Sequence, residues 1–136
     1  METNRSRHNR VKKCAVIDTN VFIYSFLQKV DLPNTLKEYG INLIYVPKNV
    51  IDELELLKKE GGKIKIAAKL SLDFINKNCK VLNLGNTKTD DALLLIARKF
   101  GCILITNDKK LKKKAKDNGI QIGYVSLSRL IIESEF

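Results

Sequence analysis

The chain has 136 residues, 44% of them hydrophobic and 7% aromatic, enough to bury one core but not a second, so one folded domain is expected and wholesale disorder is argued against. No stretch reaches the ~18 uninterrupted apolar residues of a membrane span, and the charged start METNRSRHNRVKK lacks a signal-type hydrophobic region, so a cytoplasmic protein with no membrane association is expected. Lys and Arg number 25 against 15 acids, a formal net charge of +10, which makes a polyanion the expected partner, nucleic acid first.

Residues 1–10 read as a basic flexible arm and residues 11–136 as the domain, with Arg5, Arg7, Arg10, Lys12 and Lys13 clustered at the junction. The lone histidine, His8, falls in that arm, which sets aside a Ser-His-Asp triad and any zinc site that needs two imidazoles. The apolar run Cys14 to Ile17 reads as the first strand and leads straight into Asp18, Thr19 and Asn20. Leu43 to Val46 reads as the second; after Pro47, the spacing of Val50, Leu54 and Leu57 predicts a helix whose first turns carry Asp52 and Glu53. Asn49 and Asp52 read as a capping pair. Glu53 instead lies beside the apolar stripe, where an acid needs a partner.

Ile64 to Ile75 predicts a further amphipathic helix, and Val81 to Leu84 a third strand that leads through Gly85 to Thr89, Asp90 and Asp91. Leu93, Leu94, Ile96, Ala97 and Phe100 then recur at helical spacing. Cys102 to Ile105 is the fourth strand, delivering Asp108 by way of Thr106 and Asn107, and Ile120 to Val125 is the fifth. Glycines at 40, 61, 62, 85, 101 and 119 punctuate the pattern. Strands alternating with helices imply an α/β sandwich with a parallel sheet. Cys14, Cys79 and Cys102 read as core thiols: an odd count without a Cys-x-x-Cys pair argues against a disulfide framework and a structural zinc site.

In an open parallel sheet, ligands bind beyond the carboxyl ends of the strands. The first four strands each deliver an acid there: Asp18, Asp52 with Glu53, Asp90 with Asp91, and Asp108. Singly, each has a plain alternative as a helix cap or first-turn acid. Together they repel one another and call for a compensating cation. All-oxygen ligation suits Mg²⁺ or Mn²⁺ and not zinc. In so basic a chain, that points to hydrolysis of a phosphodiester. No phosphate-cradling glycine motif supports an ATPase or dehydrogenase. Lys109, Lys110, Lys112, Lys113, Lys114 and Lys116 follow Asp108 without interleaved aromatics, so with Arg10, Lys12 and Lys13 they are expected to contact nucleic-acid phosphates and not to stack on bases.

IDTNVFIY, VPKNVIDELE, TDDALLLIA and LITND, in that order, resemble the motifs of the PIN-domain nucleases, across the chain from Cys14 to about Ser126. The resemblance implies a three-layer α/β/α sandwich around a five-stranded parallel sheet. It also implies a Mg²⁺- or Mn²⁺-dependent endoribonuclease whose metal and catalytic acids are Asp18, Glu53, Asp90 and Asp108, supported by Asp91, Asn20 and Thr106. Counting back from Gly101 favours Asp90 over Asp91 as the ligand, and Asp90 shares a helix face with Leu93, Leu94 and Ala97. Two branches compete, the VapC toxins, silenced by a small antitoxin protein, and the PIN nucleases that trim small-subunit ribosomal RNA. The doubled aspartate and the lysine run favour the second, with single-stranded or structured rRNA- or tRNA-like RNA as substrate. Members often form homodimers. The reading from another class is a catalytically silent PIN-like module that only binds RNA or protein.

Overall fold

The computed structural model describes residues 13–133; the whole of the expected arm, residues 1–10 with Arg10, lies outside them, as does Lys12. Five strands follow the five apolar runs: β1 (Lys13–Ile17), β2 (Ile41–Pro47), β3 (Lys80–Leu82), β4 (Ile103–Ile105) and β5 (Ile122–Ser126). They pair in parallel in the order β3-β2-β1-β4-β5. A sixth strand, β6 (Arg129–Ile132), runs antiparallel to β5 at the sheet's edge. The sheet is therefore six-stranded and mixed, not the expected five-stranded parallel one. β6 closes tightly on β5: a Cβ on Gly123 would lie 2.6 Å from Ile132 Cδ1 and 2.9 Å from the Ile131 carbonyl oxygen.

Six helices connect the strands: α1 (Thr19–Leu27), α2 (Leu32–Glu38), α3 (Lys48–Leu57), α4 (Gly62–Asn78), α5 (Thr89–Phe100) and α6 (Lys109–Asp117). The chain steps from β1 to β2 to β3 in one direction, then returns to β4 and β5. Right-handed crossovers therefore put α1 to α4 on one face and α5 and α6 on the other. The helix α1, TNVFIYSFL, is rich in β-branched and aromatic residues of modest helix propensity. Burial of Val21, Phe22 and Ile23 holds it, with the Phe22 ring 6.1 Å from that of Phe74 on α4. On the opposite face Phe100 of α5 stacks on Tyr45 of β2 at 4.6 Å. Between the layers Ala15, Val16, Ile17, Leu104 and Ile105 are inaccessible, as strands covered on both faces must be.

The cysteine reading needs correction. Cys14 and Cys102 form a disulfide, with Cα atoms 4.7 Å apart, because the pairing of Ala15 with Ile103 brings them to facing positions on neighbouring strands. Cys79 alone is a free thiol, pushed up to about 12 by burial. Among the described residues no helix is long and apolar enough to cross a membrane.

The strand order also locates the site. From β1 the chain leaves toward β2, and from β4 it leaves toward β5. Their carboxyl ends thus flank the topological switch point, where the diverging connections open a crevice.

Candidate active site

Asp18 stands at that point. Its backbone N–H donates to the Ile105 carbonyl of β4 at 3.0 Å, and its side chain caps α1 through the Thr19 N–H at 2.8 Å. Its other oxygen accepts the Thr106 hydroxyl at 2.8 Å. Thr106 is fully buried, and its hydroxyl oxygen also accepts the Asp108 N–H at 3.1 Å, so one hydroxyl joins the exits of β1 and β4. Burial pushes the Asp18 carboxyl above its ordinary value; the bonds from Thr106 and Thr19 pull it back, and the charges of Glu53 and Asp90 raise it further. A helix cap by itself would lower it, so burial and like charge outweigh capping here.

Glu53, half-buried on α3, spans the sheet edge. Its Oε1 accepts the Thr19 hydroxyl at 2.5 Å and its Oε2 the Thr89 hydroxyl at 2.6 Å. Asp90, exposed in the first turn of α5, is also held above the ordinary carboxylate range. Its partial burial counts most, then the charge of Asp108, with Lys114 opposing and Asp91 and Glu53 adding to the rise. Asp108 caps α6 by accepting the Leu111 N–H at 3.0 Å. The capping alternative thus holds for Asp18 and Asp108, yet both also lie within the mutual field of the acids. Asp91 is exposed beside Asp90, and Asn20 is exposed in the first turn of α1.

The capping pair expected of Asn49 and Asp52 does not form. The cap position of α3 is Pro47, with no side-chain bond; Asn49 donates to the Thr87 carbonyl, and Asp52 pairs with Lys48 at 2.9 Å. Thr19 and Thr89 carried no role in the sequence reading. The only signal was a hydroxyl residue adjoining a strand-exit acid in each case.

The donors available for a cation are carboxylates and hydroxyls, without thiol or imidazole, and the carboxylates raise one another's proton affinity. That chemistry fits a hard divalent ion. Among the described residues no group of three or more acidic, His or Cys side chains is placed to hold a metal ion, although Asp18, Glu53, Asp90 and Asp108 lie near enough to feel neighbouring acids' charge.

Residues 15–127 match the family described as a PIN like domain. The chain belongs to the PIN-like family. It is 43% identical over 126 residues to Ribonuclease VapC9 of Archaeoglobus fulgidus, covering 92% of this chain and 91% of the relative. It is 34% identical over 114 residues to Ribonuclease VapC4 of Methanocaldococcus jannaschii, covering 79% and 86%. Among solved structures, the PIN domain endonuclease Utp24 superposes with a TM-score of 0.72 at 26% identity, over 88% of this chain and 90% of that one.

In this PIN-like domain the lysine run forms α6, which Asp108 opens. Its buried face is Leu111 and Ala115. Lys112 reaches over the Tyr124 ring, 4.5 Å from its centre, while Lys113 and Lys116 pair with Asp117 and Glu133 at 3.4 and 3.1 Å. Lys109, Lys110 and Lys114 are exposed, and Lys114 acts on Asp90. Lys13 is not brought to the acids: it begins β1, at the opposite edge of the sheet from Asp18.

Proposed function

We propose that the chain is an endoribonuclease that hydrolyses RNA phosphodiester bonds with Mg²⁺ or Mn²⁺ held by Asp18, Glu53, Asp90 and Asp108. The observation that carries this reading is the convergence of acids on one crevice, where Asp18 registers the charges of Glu53 and Asp90, and Asp90 that of Asp108. A bound cation relieves such crowding of like charge, which isolated helix caps do not create. The family and its two VapC ribonuclease relatives support the same reading.

In this mechanism Thr106 and the Thr19 N–H keep Asp18 in one rotamer. Asp90 and Asp108 close the crevice from the other face of the sheet, and Asp91 and Asn20 adjoin it as supporting groups. When bound, the ion supplies an acidified water and a positive centre for the charge of a pentacoordinate phosphate. Lys109, Lys110, Lys112, Lys113 and Lys114 of α6 hold the phosphates of the strand beside Asp108, without reading bases.

The VapC relatives favour a VapC-type role in the cytoplasm, with a small antitoxin protein and a second copy of the chain as protein partners; exposed Leu27, Ile66 and Leu70 offer them apolar surface. The test is pure protein with labelled single-stranded RNA, Mg²⁺ or Mn²⁺ against EDTA, wild type beside Asp18→Asn. Cleavage that needs both the ion and Asp18 supports the proposal. RNA binding without cleavage would establish the silent module. Growth arrest by the wild type alone, relieved by a small co-purifying protein, marks the toxin role, whereas tolerated expression with precursor RNA left uncut on its loss marks processing.

A further inference from the structure

Glu53 occupies a position that electrostatics alone would empty. Its carboxylate shares the crevice with Asp18 and Asp90, both of which register its charge, and a glutamate has enough rotatable bonds to swing its head group into water. Instead both oxygens are engaged by hydroxyls, Oε1 by Thr19 and Oε2 by Thr89, from residues 34 and 36 positions away. The two donors come from opposite layers: Thr19 opens α1 on one face of the sheet and Thr89 opens α5 on the other.

Neither hydroxyl is spent on its own helix. A threonine near a helix end commonly bonds local backbone, yet the cap position of α5 is Lys88, without a side-chain cap bond, and the Thr89 hydroxyl turns to Glu53. The loop before it is tied to the same helix, since Asn49 of α3 donates to the Thr87 carbonyl and the Thr87 hydroxyl to the Leu84 carbonyl. Hydroxyls suit this role. They stabilise a carboxylate without cancelling its charge, and each leaves a lone pair on the oxygen it touches for a further partner.

We propose that Thr19 and Thr89 are positioning residues that hold the Glu53 carboxylate at the crevice, so that metal affinity and turnover depend on their hydroxyls. The proposal rests on the metal-dependent nuclease reading. Because Thr89 immediately precedes Asp90, the clasp also fixes the first turn of α5 and the aim of that acid.

The experiment compares Thr19→Val and Thr89→Val with Thr19→Ser and Thr89→Ser, measuring Mn²⁺ affinity by calorimetry and kcat and KM on labelled RNA. Loss of a hydrogen bond to a charged group is expected to weaken Mn²⁺ binding and kcat by roughly tenfold in each valine variant. KM for RNA should stay near the wild-type value, because the phosphate-holding lysines are untouched, and the serine variants should recover most of both losses. In a Glu53→Ala background, where no clasp can form, the valine changes should have no further effect on Mn²⁺ affinity. Should Thr89→Val fail to fold, Thr89→Ala against Thr89→Ser makes the same comparison. Valine variants with wild-type Mn²⁺ affinity and kcat, serine variants as impaired as valine ones, or additive losses in the Glu53→Ala background would overturn the clasp while leaving the nuclease reading intact. A wild type that neither binds Mn²⁺ nor cleaves RNA would overturn both.

Discussion

Thr106→Val tests the link between β1 and β4. The substitution keeps the shape of a fully buried side chain and removes two interactions: the hydroxyl's donation to Asp18 at 2.8 Å and its acceptance of the Asp108 N–H at 3.1 Å. A hydrogen bond to a charged group contributes about 1.5–3 kcal/mol and a neutral one about 0.5–1.5 kcal/mol, so a loss of about 2–4 kcal/mol is expected at neutral pH. For a domain of this size that is roughly 8–16 °C in Tm. The loss depends on pH with a definite sign. The Asp18 carboxyl is raised above 3.8, so without metal its charged form costs stability, and protonation as pH falls through that raised value returns it. The Thr106 hydroxyl stabilises the charged form, so its own contribution shrinks as Asp18 protonates. Urea unfolding with EDTA should therefore give a larger difference between wild type and variant at about pH 8 than at about pH 4, by on the order of 1–2 kcal/mol. Equal differences at both pH values would refute the coupling of Thr106 to an ionised Asp18.

Asp90→Asn should abolish RNA cleavage while Asp91→Asn should only reduce it, in the same labelled-RNA assay; the reverse order would show that Asp91 is the ligand. Replacing Lys112, Lys113 and Lys114 together by Ala should weaken RNA binding about equally for different sequences and flatten the plot of log affinity against log salt by roughly 0.7 for each phosphate no longer held. An unchanged slope would mean that the outer face of α6 touches only solvent. Without reductant, alkylation followed by mass spectrometry should label Cys79 alone in unfolded protein, and reduction of the Cys14–Cys102 bond should lower stability by about 2–4 kcal/mol in urea. Labelling of all three cysteines before reduction would contradict the disulfide.

The five parallel strands were legible because strands covered on both faces, such as CAVI and CILI, must be apolar throughout, and their exits carry the acids. β6 was not, since its four residues follow a turn in which Leu127 and Ser128 adopt φ of 51° and 63°, without the Gly or Asn that normally announces such a hairpin. Helix α2 escaped for a similar reason, having seven residues and a proline in its first turn. Asp18 and Asp108 could be placed because each follows its strand within three residues, and Glu53 and Asp90 because the helices that carry them, α3 and α5, are the next elements after β2 and β3. Their partners could not, because whether Thr19 and Thr89 meet Glu53 depends on how layers on opposite faces approach one sheet edge. The disulfide was hidden in the same way: Cys14 and Cys102 are 88 residues apart and become neighbours only through the β1–β4 adjacency, which local pattern does not encode.

The four carboxylates at four strand exits are proposed to serve one cation, and thermal melting against Mn²⁺ concentration tests this most directly. A ligand bound only by the folded state at about a hundred times its Kd adds about 2.7 kcal/mol, so the wild type should melt several degrees higher with Mn²⁺ than with EDTA. Asp18→Asn, Glu53→Gln, Asp90→Asn and Asp108→Asn should each gain distinctly less, whereas a shift as large in all four variants as in the wild type would contradict a shared site.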